Sequence, residues 1–504
     1  MKFYKYILLI ENMKECNDMD NLYSKTNVIK SLFWKFLERG GTQGIQFIVQ
    51  IILARILTPT EFGTLAIILV FIDVAQVFIQ GGFNTALIQK KNVDNLDYSS
   101  VLYFSFFVAF ILYVIIFIMS PFIASFYGDV ALIRTLRITA IILFPAALNS
   151  IQNAFVSKNM LFQVLFRCSF GSTVVSGLIG IVMAYKGFGV WSLVFQQISF
   201  YILNSILLWL FVKWRPIFKF SFIRIKELFN FGSKVLVSNL VYRLYMNLRT
   251  LIIGRVYTST DLAYYQRGEQ IPRTIVNNID GSIQSVLLPT LSGLQDNLIK
   301  VKSVMRRAVS ISSFVVFPMM TGLLICAQQI VVLLLTEKWL KATPFLQIFA
   351  LTYAIWPLLT INLQPIRALG RSDIILKQEI VKRIIGFIII LISLKFGVFA
   401  VAIGALLERI IEVIINALPN KKLINYSIFE QIKDIFPTII NSVVMGIVVY
   451  FIGKVPLPNL TLLILRIIFG IVIYLLLSYI FKNDSLIYII DTLMTMRKKK
   501  VTKG

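Results

Sequence analysis

The chain has 504 residues, of which 58% are hydrophobic, 13% aromatic and 15% charged, against roughly 25% charged in soluble proteins. With 41 phenylalanines and a net charge of +26 it cannot hide its apolar surface in a water-soluble core, so it reads as an integral membrane protein. Histidine is absent, which excludes a Ser-His-Asp or Cys-His triad, a histidine-ligated metal or haem and a histidine proton relay; Cys16, Cys168 and Cys326 are too widely spaced for a metal site or a disulfide framework, and no cofactor is expected.

In chain order, residues 1–30 read as a cytoplasmic tail. The apolar stretch Tyr6 to Ile10 is too short for a signal peptide and no small-residue cleavage site follows, while Met13 and Met19 are alternative starts. Apolar runs of about twenty residues then recur, each long enough to cross a hydrocarbon core about 30 Å thick. Fourteen are expected, at 31–57, 61–83, 98–120, 132–156, 163–185, 189–212, 229–256, 268–292, 304–335, 342–366, 376–395, 397–418, 433–453 and 459–481. Pro272, Pro289, Pro344, Pro357 and Pro365 interrupt the eighth and tenth. The longest connection, Lys213 to Leu228, is about sixteen residues, too short for a soluble domain, and no phosphate-cradling GxxxxGK[ST] loop is present. The expected fold is an all-α integral membrane protein with a six-helix N-lobe (31–212), a cytoplasmic linker (213–228), a six-helix C-lobe (229–418), two extra helices (430–482) and a basic tail (483–504).

Lysines and arginines alternate between loops and set the orientation. One side carries Lys90 and Lys91, Lys158, the run from Lys213 to Lys226, Lys300 to Arg307, Arg371 and Lys377, Lys421 and Lys422, and the tail from Arg497 to Lys503; the other carries scattered residues such as Arg55, Lys186, Arg255 and Lys454. Both termini are therefore expected in the cytoplasm. The positive charge is explained by topology and anionic-lipid contact rather than by nucleic acid.

The second half repeats the first at a separation of 200 residues. Ala54-Arg55-Ile56-Leu57-Thr58-Pro59-Thr60-Glu61-Phe62-Gly63 aligns with Gly254-Arg255-Val256-Tyr257-Thr258-Ser259-Thr260-Asp261-Leu262-Ala263, Ile79-Gln80-Gly81 with Ile279-Asp280-Gly281, and, at a slightly larger offset, Phe188-Gly189-Val190-Trp191 with Phe396-Gly397-Val398-Phe399. Thr60 followed by Glu61, and Thr260 by Asp261, are expected as helix N-caps with an acid in the first turn. Six spans separate equivalent points, so the two halves share one orientation, as in a transporter with its pathway between parallel lobes.

The stretches Ser31 to Phe47 and Leu53 to Gly63, with Gly81-Gly82-Phe83-Asn84-Thr85-Ala86-Leu87-Ile88-Gln89 and Lys186-Gly187-Phe188-Gly189-Val190-Trp191, resemble the polysaccharide flippases of the MOP superfamily, in particular the Wzx-type O-antigen, colanic-acid and teichuronic-acid exporters. The resemblance runs from about Ser31 to Ile480. It implies a fourteen-helix, two-lobed, V-shaped carrier in the bacterial inner membrane. Such a carrier flips undecaprenyl-diphosphate-linked repeat units by alternating access and works beside a polysaccharide polymerase and chain-length machinery.

A lipid-linked diphosphate needs cations at membrane depth. Arg39 and Arg249 are the first candidates for diphosphate contact, with Arg243 and Arg273 next; Lys35, Lys234 and Arg255 lie nearer span ends, where snorkelling competes. On α-helical spacing Arg243 falls on the opposite face from Lys234, Arg249 and Arg255. Lys35 has Glu38 as a local partner, and Glu408, Arg409 and Glu412 form a self-neutralising cluster. Asp73, alone in an apolar helix, is either an ion-coupling site or the partner of Arg273 at its repeat position, and the ion pair is favoured. Trp34, Tyr242, Tyr245 and Tyr257 are placed to line a sugar passage. Two other readings compete with the flippase: a drug or cation antiporter of the same fold, which usually carries acids in its cavity, and a membrane-embedded glycosyltransferase or polymerase, which normally carries a large loop.

Overall fold

The computed structural model describes residues 25–501, and they are all helix, turn and coil. α1 (Lys25–Ile56) and α2 (Pro59–Gln80) meet at a tight turn. The cap of α2 is Thr58, two residues before the expected Thr60, because Pro59 is suited to the first helical position and Glu61 Oε2 accepts from the Thr58 amide at 2.6 Å. Gly81 closes α2 in the left-handed region (φ 50°), and α3 (Phe83–Gln89) follows. α4 (Asn95–Tyr127) is capped by Asp94, whose Oδ1 accepts from the Asp97 amide at 2.8 Å. Pro121 inside α4 cannot donate to the Phe117 carbonyl, and Arg137 Nε (3.2 Å) and Ser120 Oγ (2.8 Å) take that role.

The remaining elements are α5 (Ala131–Thr139), α6 (Leu143–Lys158), α7 (Phe162–Tyr185), α8 (Val190–Phe211), α9 (Phe222–Val256), α10 (Ser259–Ser292), α11 (Leu298–Ile325), α12 (Ala327–Leu335), α13 (Thr343–Ala354), α14 (Trp356–Ala368), α15 (Ser372–Ser393), α16 (Val398–Ile424), α17 (Ile428–Ile452), α18 (Asn459–Ile480) and α19 (Asp484–Val501). Three expected spans are broken: the fourth by a 3-10 turn at Ala140–Ile142, the ninth at Cys326 and the tenth at Ile355, where Pro357 starts a new helix. α9 starts seven residues before its expected span, and the basic tail begins as a helix, α19. Among the described residues nine helical segments are long and apolar enough to cross a membrane. α1, α9, α10, α15 and α16 have the length but carry more charge.

The chain packs as two compact units, Met1–Thr260 and Asp261–Gly504. In the first, α7 lies against α1 and α8, and α6 against α2, α3, α4 and α8. α9 runs along α2, α3 and α4. Its contact with the α2–α3 junction is close enough to require glycine: a Cβ on Gly82 (φ +71°) would stand 2.2 Å from the Gly232 carbonyl oxygen. The connection before α9 is laced to α4 rather than free. Trp214 Nε1 donates to Asn95 (3.1 Å), the Ile217 and Ser221 amides donate to Ser99 and Ser100 (3.0 Å each), and Tyr103 OH donates to the Ile217 carbonyl (3.0 Å). In the second unit α11 pairs with α17, α16 with α14 and α15, and α17 with α18. Asn362, Asn420 and Gln431 form a buried amide network there, with Asn420 donating to Asn362 at 2.8 Å and Asn362 to Gln431 at 2.8 Å.

Each unit carries an ion-pair clasp. In the first, Lys90 Nζ lies 2.8 Å from both oxygens of Asp97, which is fully buried, and Arg224 of α9 lies 3.3 Å from Asp94 and 3.7 Å from Asp97. In the second, Lys302 of α11 meets Glu430 of α17 at 2.8 Å, Arg306 pairs with Asp434, and Tyr426 OH donates to Asp434 at 2.8 Å. Under the six-span repeat, α4 and α9 correspond to α11 and α17. The acids sit on the earlier helix in the first unit and on the later helix in the second, so the polarity is reversed.

Candidate functional site

In the first unit a polar seam links α2, α6, α8 and α9. Asp73 and Gln76 are one turn apart on α2, and Gln76 Nε2 donates to Tyr201 OH of α8 at 2.9 Å. Asn149 of α6 donates to the Tyr201 carbonyl (3.2 Å) and accepts from Ser205 Oγ (2.7 Å). Arg243 of α9 is the basic neighbour of both Asp73 and Tyr201. At about 100° per residue it shares a face with Gly232, which packs on the α2–α3 junction, and its guanidinium is exposed.

The second unit holds a denser cluster around the break between α13 and α14. Tyr353 OH donates to Glu269 Oε1 at 2.8 Å, and Arg273 lies 3.9 Å from the same carboxylate. The Tyr353 and Trp356 rings stack, with centroids 5.2 Å apart, and the Arg409 guanidinium lies 4.1 Å from the Trp356 centroid while pairing with Glu412. Asp280, 4% exposed, accepts from Thr360 Oγ1, from the Trp356 indole and from Gln284 Nε2 at 2.6 Å. Helix breaks at membrane depth free backbone groups and are tolerated where protein or water meets them. Among the described residues no group of three His, Cys, Asp or Glu is placed to hold a metal.

The candidates fall into different environments. Arg39 lies in α1, outside the residues whose side chains are described. Arg249 is half-buried and about 240° round α9 from Arg243, while Arg243 and Arg273 are exposed. Within the first unit Asp73 has Arg243 beside it, and within the second Arg273 has Glu269. Lys35 pairs locally with Glu38 at 2.8 Å, Lys234 is exposed, and Arg255 lies 4.7 Å from the Phe126 ring. Trp34 packs on Phe166 at 5.7 Å, and Tyr242 is exposed.

Arg466 and the Trp356–Asp280 contact did not figure among the candidates. Arg466 is 6% exposed in the apolar α18, hydrogen-bonded to Cys326, with its guanidinium over Gly453. A single charge in the run Leu462 to Phe469 was its sequence signal. The Trp356 contact had none, because it depends on the helix break.

Two of the sequence motifs meet in the first unit. Gly189, at φ +58°, opens α8, and the Glu61 carboxylate stands 2.6 Å from where its Cβ would be. Thr60 and Thr260, equivalent positions of the repeat, touch through their hydroxyls at 2.8 Å. The profile of a family described as polysaccharide biosynthesis protein matches residues 52–344, which include these motifs. The chain belongs to that family. It is 26% identical over 332 residues to the teichuronic acid biosynthesis protein TuaB of Bacillus subtilis (strain 168), covering 66% of this chain and 69% of that one. It is 24% identical over 423 residues to the lipopolysaccharide biosynthesis protein WzxC of Escherichia coli (strain K12), covering 80% and 85%. Among solved structures it is similar to the lipid II flippase MurJ in an inward closed conformation, with a TM-score of 0.73, 17% identity and coverage of 90% and 99%. The fold is therefore MurJ-like, and the protein is a multi-pass membrane protein of polysaccharide biosynthesis.

Proposed function

We propose that this protein translocates undecaprenyl-diphosphate-linked oligosaccharide repeat units across the bacterial cytoplasmic (inner) membrane for surface-polysaccharide export, by alternating access. The observation that carries the reading is α9, 35 residues long, which presents Lys234, Arg243 and Arg249 within a helix of membrane-crossing length. A cation at that depth is costly unless it faces protein or water, and a diphosphate is a group that repays it. Arg39, Arg243, Arg249 and Arg273 are assigned to the diphosphate, and Asp73 restrains Arg243 between cargoes.

The five charged long helices, α1, α9, α10, α15 and α16, are proposed as spans beside the nine apolar segments, which makes fourteen. Charged spans belong against a wet interior and apolar spans against lipid. Both termini are assigned to the cytoplasm by the lysine and arginine bias, and the basic end of α19 to anionic headgroups. A polymerase and chain-length machinery would take the exported unit, and the chain itself would carry out no covalent step. Mid-membrane arginines favour an anionic cargo over the cationic drugs of the antiporter branch. Deletion of the gene followed by lipid extraction tests the proposal: undecaprenyl-linked repeat units should accumulate on the cytoplasmic face, and their normal appearance outside would refute it.

A further inference from the structure

Asp280 differs from Glu269 and Glu412 in its partners. Glu269 has Arg273 and Glu412 has Arg409, whereas the three side-chain donors on Asp280 are neutral: a hydroxyl, an amide and an indole. A carboxylate that is 4% exposed at the middle of a membrane helix, with neutral donors alone, pays a large desolvation cost while charged. Around it Gln364 Nε2 donates to the Thr360 carbonyl at 3.2 Å and to Gln284 Oε1 at 3.4 Å, and Gln364 Oε1, on a residue 1% exposed, accepts no hydrogen bond.

We infer that Asp280 is a proton-binding site, loaded and emptied during the transport cycle, with Thr360, Gln284 and Gln364 as its switchable partners. Once protonated, Asp280 must donate. Rotation of the Thr360 hydroxyl or a flip of the Gln284 amide supplies an acceptor without moving the backbone. The flipped Gln284 amide then needs an acceptor of its own, and Gln364 Oε1, once its amide flips too, provides it. A metal ion fits worse, because three donors occupy the carboxylate lone pairs and the Trp356 N–H has no acceptor to offer.

The charged and titratable groups on the neighbouring helices include Arg267, Glu269 and Arg273 on α10 itself, Tyr353 on α13, Arg367 at the far end of α14, Glu408, Arg409 and Glu412 on α16, Lys302, Arg306 and Arg307 on α11, and Glu430 and Asp434 on α17. None of these is hydrogen-bonded to Asp280 among the described residues. This inference goes beyond the proposed cargo and can fail without it, since the site is read on protein alone.

The test is infrared difference spectroscopy of the purified full-length protein in liposomes, stepped from about pH 9 to about pH 4. A protonated-carboxyl C=O band should grow in and be lost in Asp280→Asn. Gln364→Leu, which keeps the carboxyl but removes the acceptor, should shift the pH at which the band appears. An unchanged band in Asp280→Asn overturns the inference; if that variant does not fold, an unmoved band in Gln364→Leu does.

Discussion

Replacing Asp97 by Asn should unfasten the N-terminal end of α9. Asp97 is fully buried and receives two 2.8 Å contacts from Lys90, with Arg224 at 3.7 Å, so the substitution leaves two cations facing a neutral amide. Breaking a fully buried pair from one side costs about 3–5 kcal/mol. Lys90 retains 24% exposure and has Glu227 at 3.9 Å, so part of that cost is recovered by rehydration and a second acid. We expect a loss of about 2 kcal/mol, roughly thirty-fold in the unfolding equilibrium. Lys90→Met alone should cost a similar amount, and the double variant much less than the sum, because neither change then strands a charge. Equilibrium unfolding in mixed detergent micelles reads all four proteins. Additive losses, or an Asp97→Asn variant within about 0.5 kcal/mol of the original protein, would refute the view that this pair holds α9.

Three further outcomes follow from the geometry. Thr60→Cys with Thr260→Cys should cross-link under mild oxidation, since the two hydroxyls are 2.8 Å apart, and no cross-link would contradict that contact. Burial acts to raise the Asp94 carboxyl, but the Asp97 amide and the Arg224 and Lys90 charges outweigh it and hold the carboxyl below its ordinary value. Its contribution should therefore be complete above about pH 4 and fade as the pH falls further, seen as a stability difference from Asp94→Asn that shrinks on acidification. Arg466→Met, replacing a buried guanidinium whose Nε has no hydrogen bond, should leave thermal stability unchanged or raise it by about 1 kcal/mol; a loss above about 2 kcal/mol would show that the Cys326 contact is structural.

The membrane class and the family were legible because both rest on features that survive without coordinates: apolar runs, a charge bias by loop and the Thr58 to Gly63 and Gly81 to Gln89 motifs. Local pairings were legible where helical spacing alone decides them, as for Lys35 with Glu38 and Arg409 with Glu412. The sequence was misleading where a proline or glycine has two uses. Pro59 reads as lying before a cap at Thr60, yet its fixed φ suits the first helical position, which moves the cap to Thr58. Pro357 reads as an interruption, but a helix restart beside Asp280 and Arg409 depends on what packs there. Partner choice was the least legible property. Helix packing sets Arg243 next to Asp73, and that follows from the close approach of Gly82 to Gly232 rather than from charge spacing.

The central claim is that arginines at membrane depth carry an anionic lipid-linked sugar from one leaflet to the other. Its most direct measurement is reconstitution of the purified protein into liposomes holding a fluorescent undecaprenyl-diphosphate oligosaccharide, with leaflet exposure read by an impermeant quencher. The account predicts rapid exchange between leaflets that is lost on Arg243→Gln with Arg249→Gln while the protein remains folded. Exchange at the rate of protein-free liposomes, or full activity in that double variant, would contradict it.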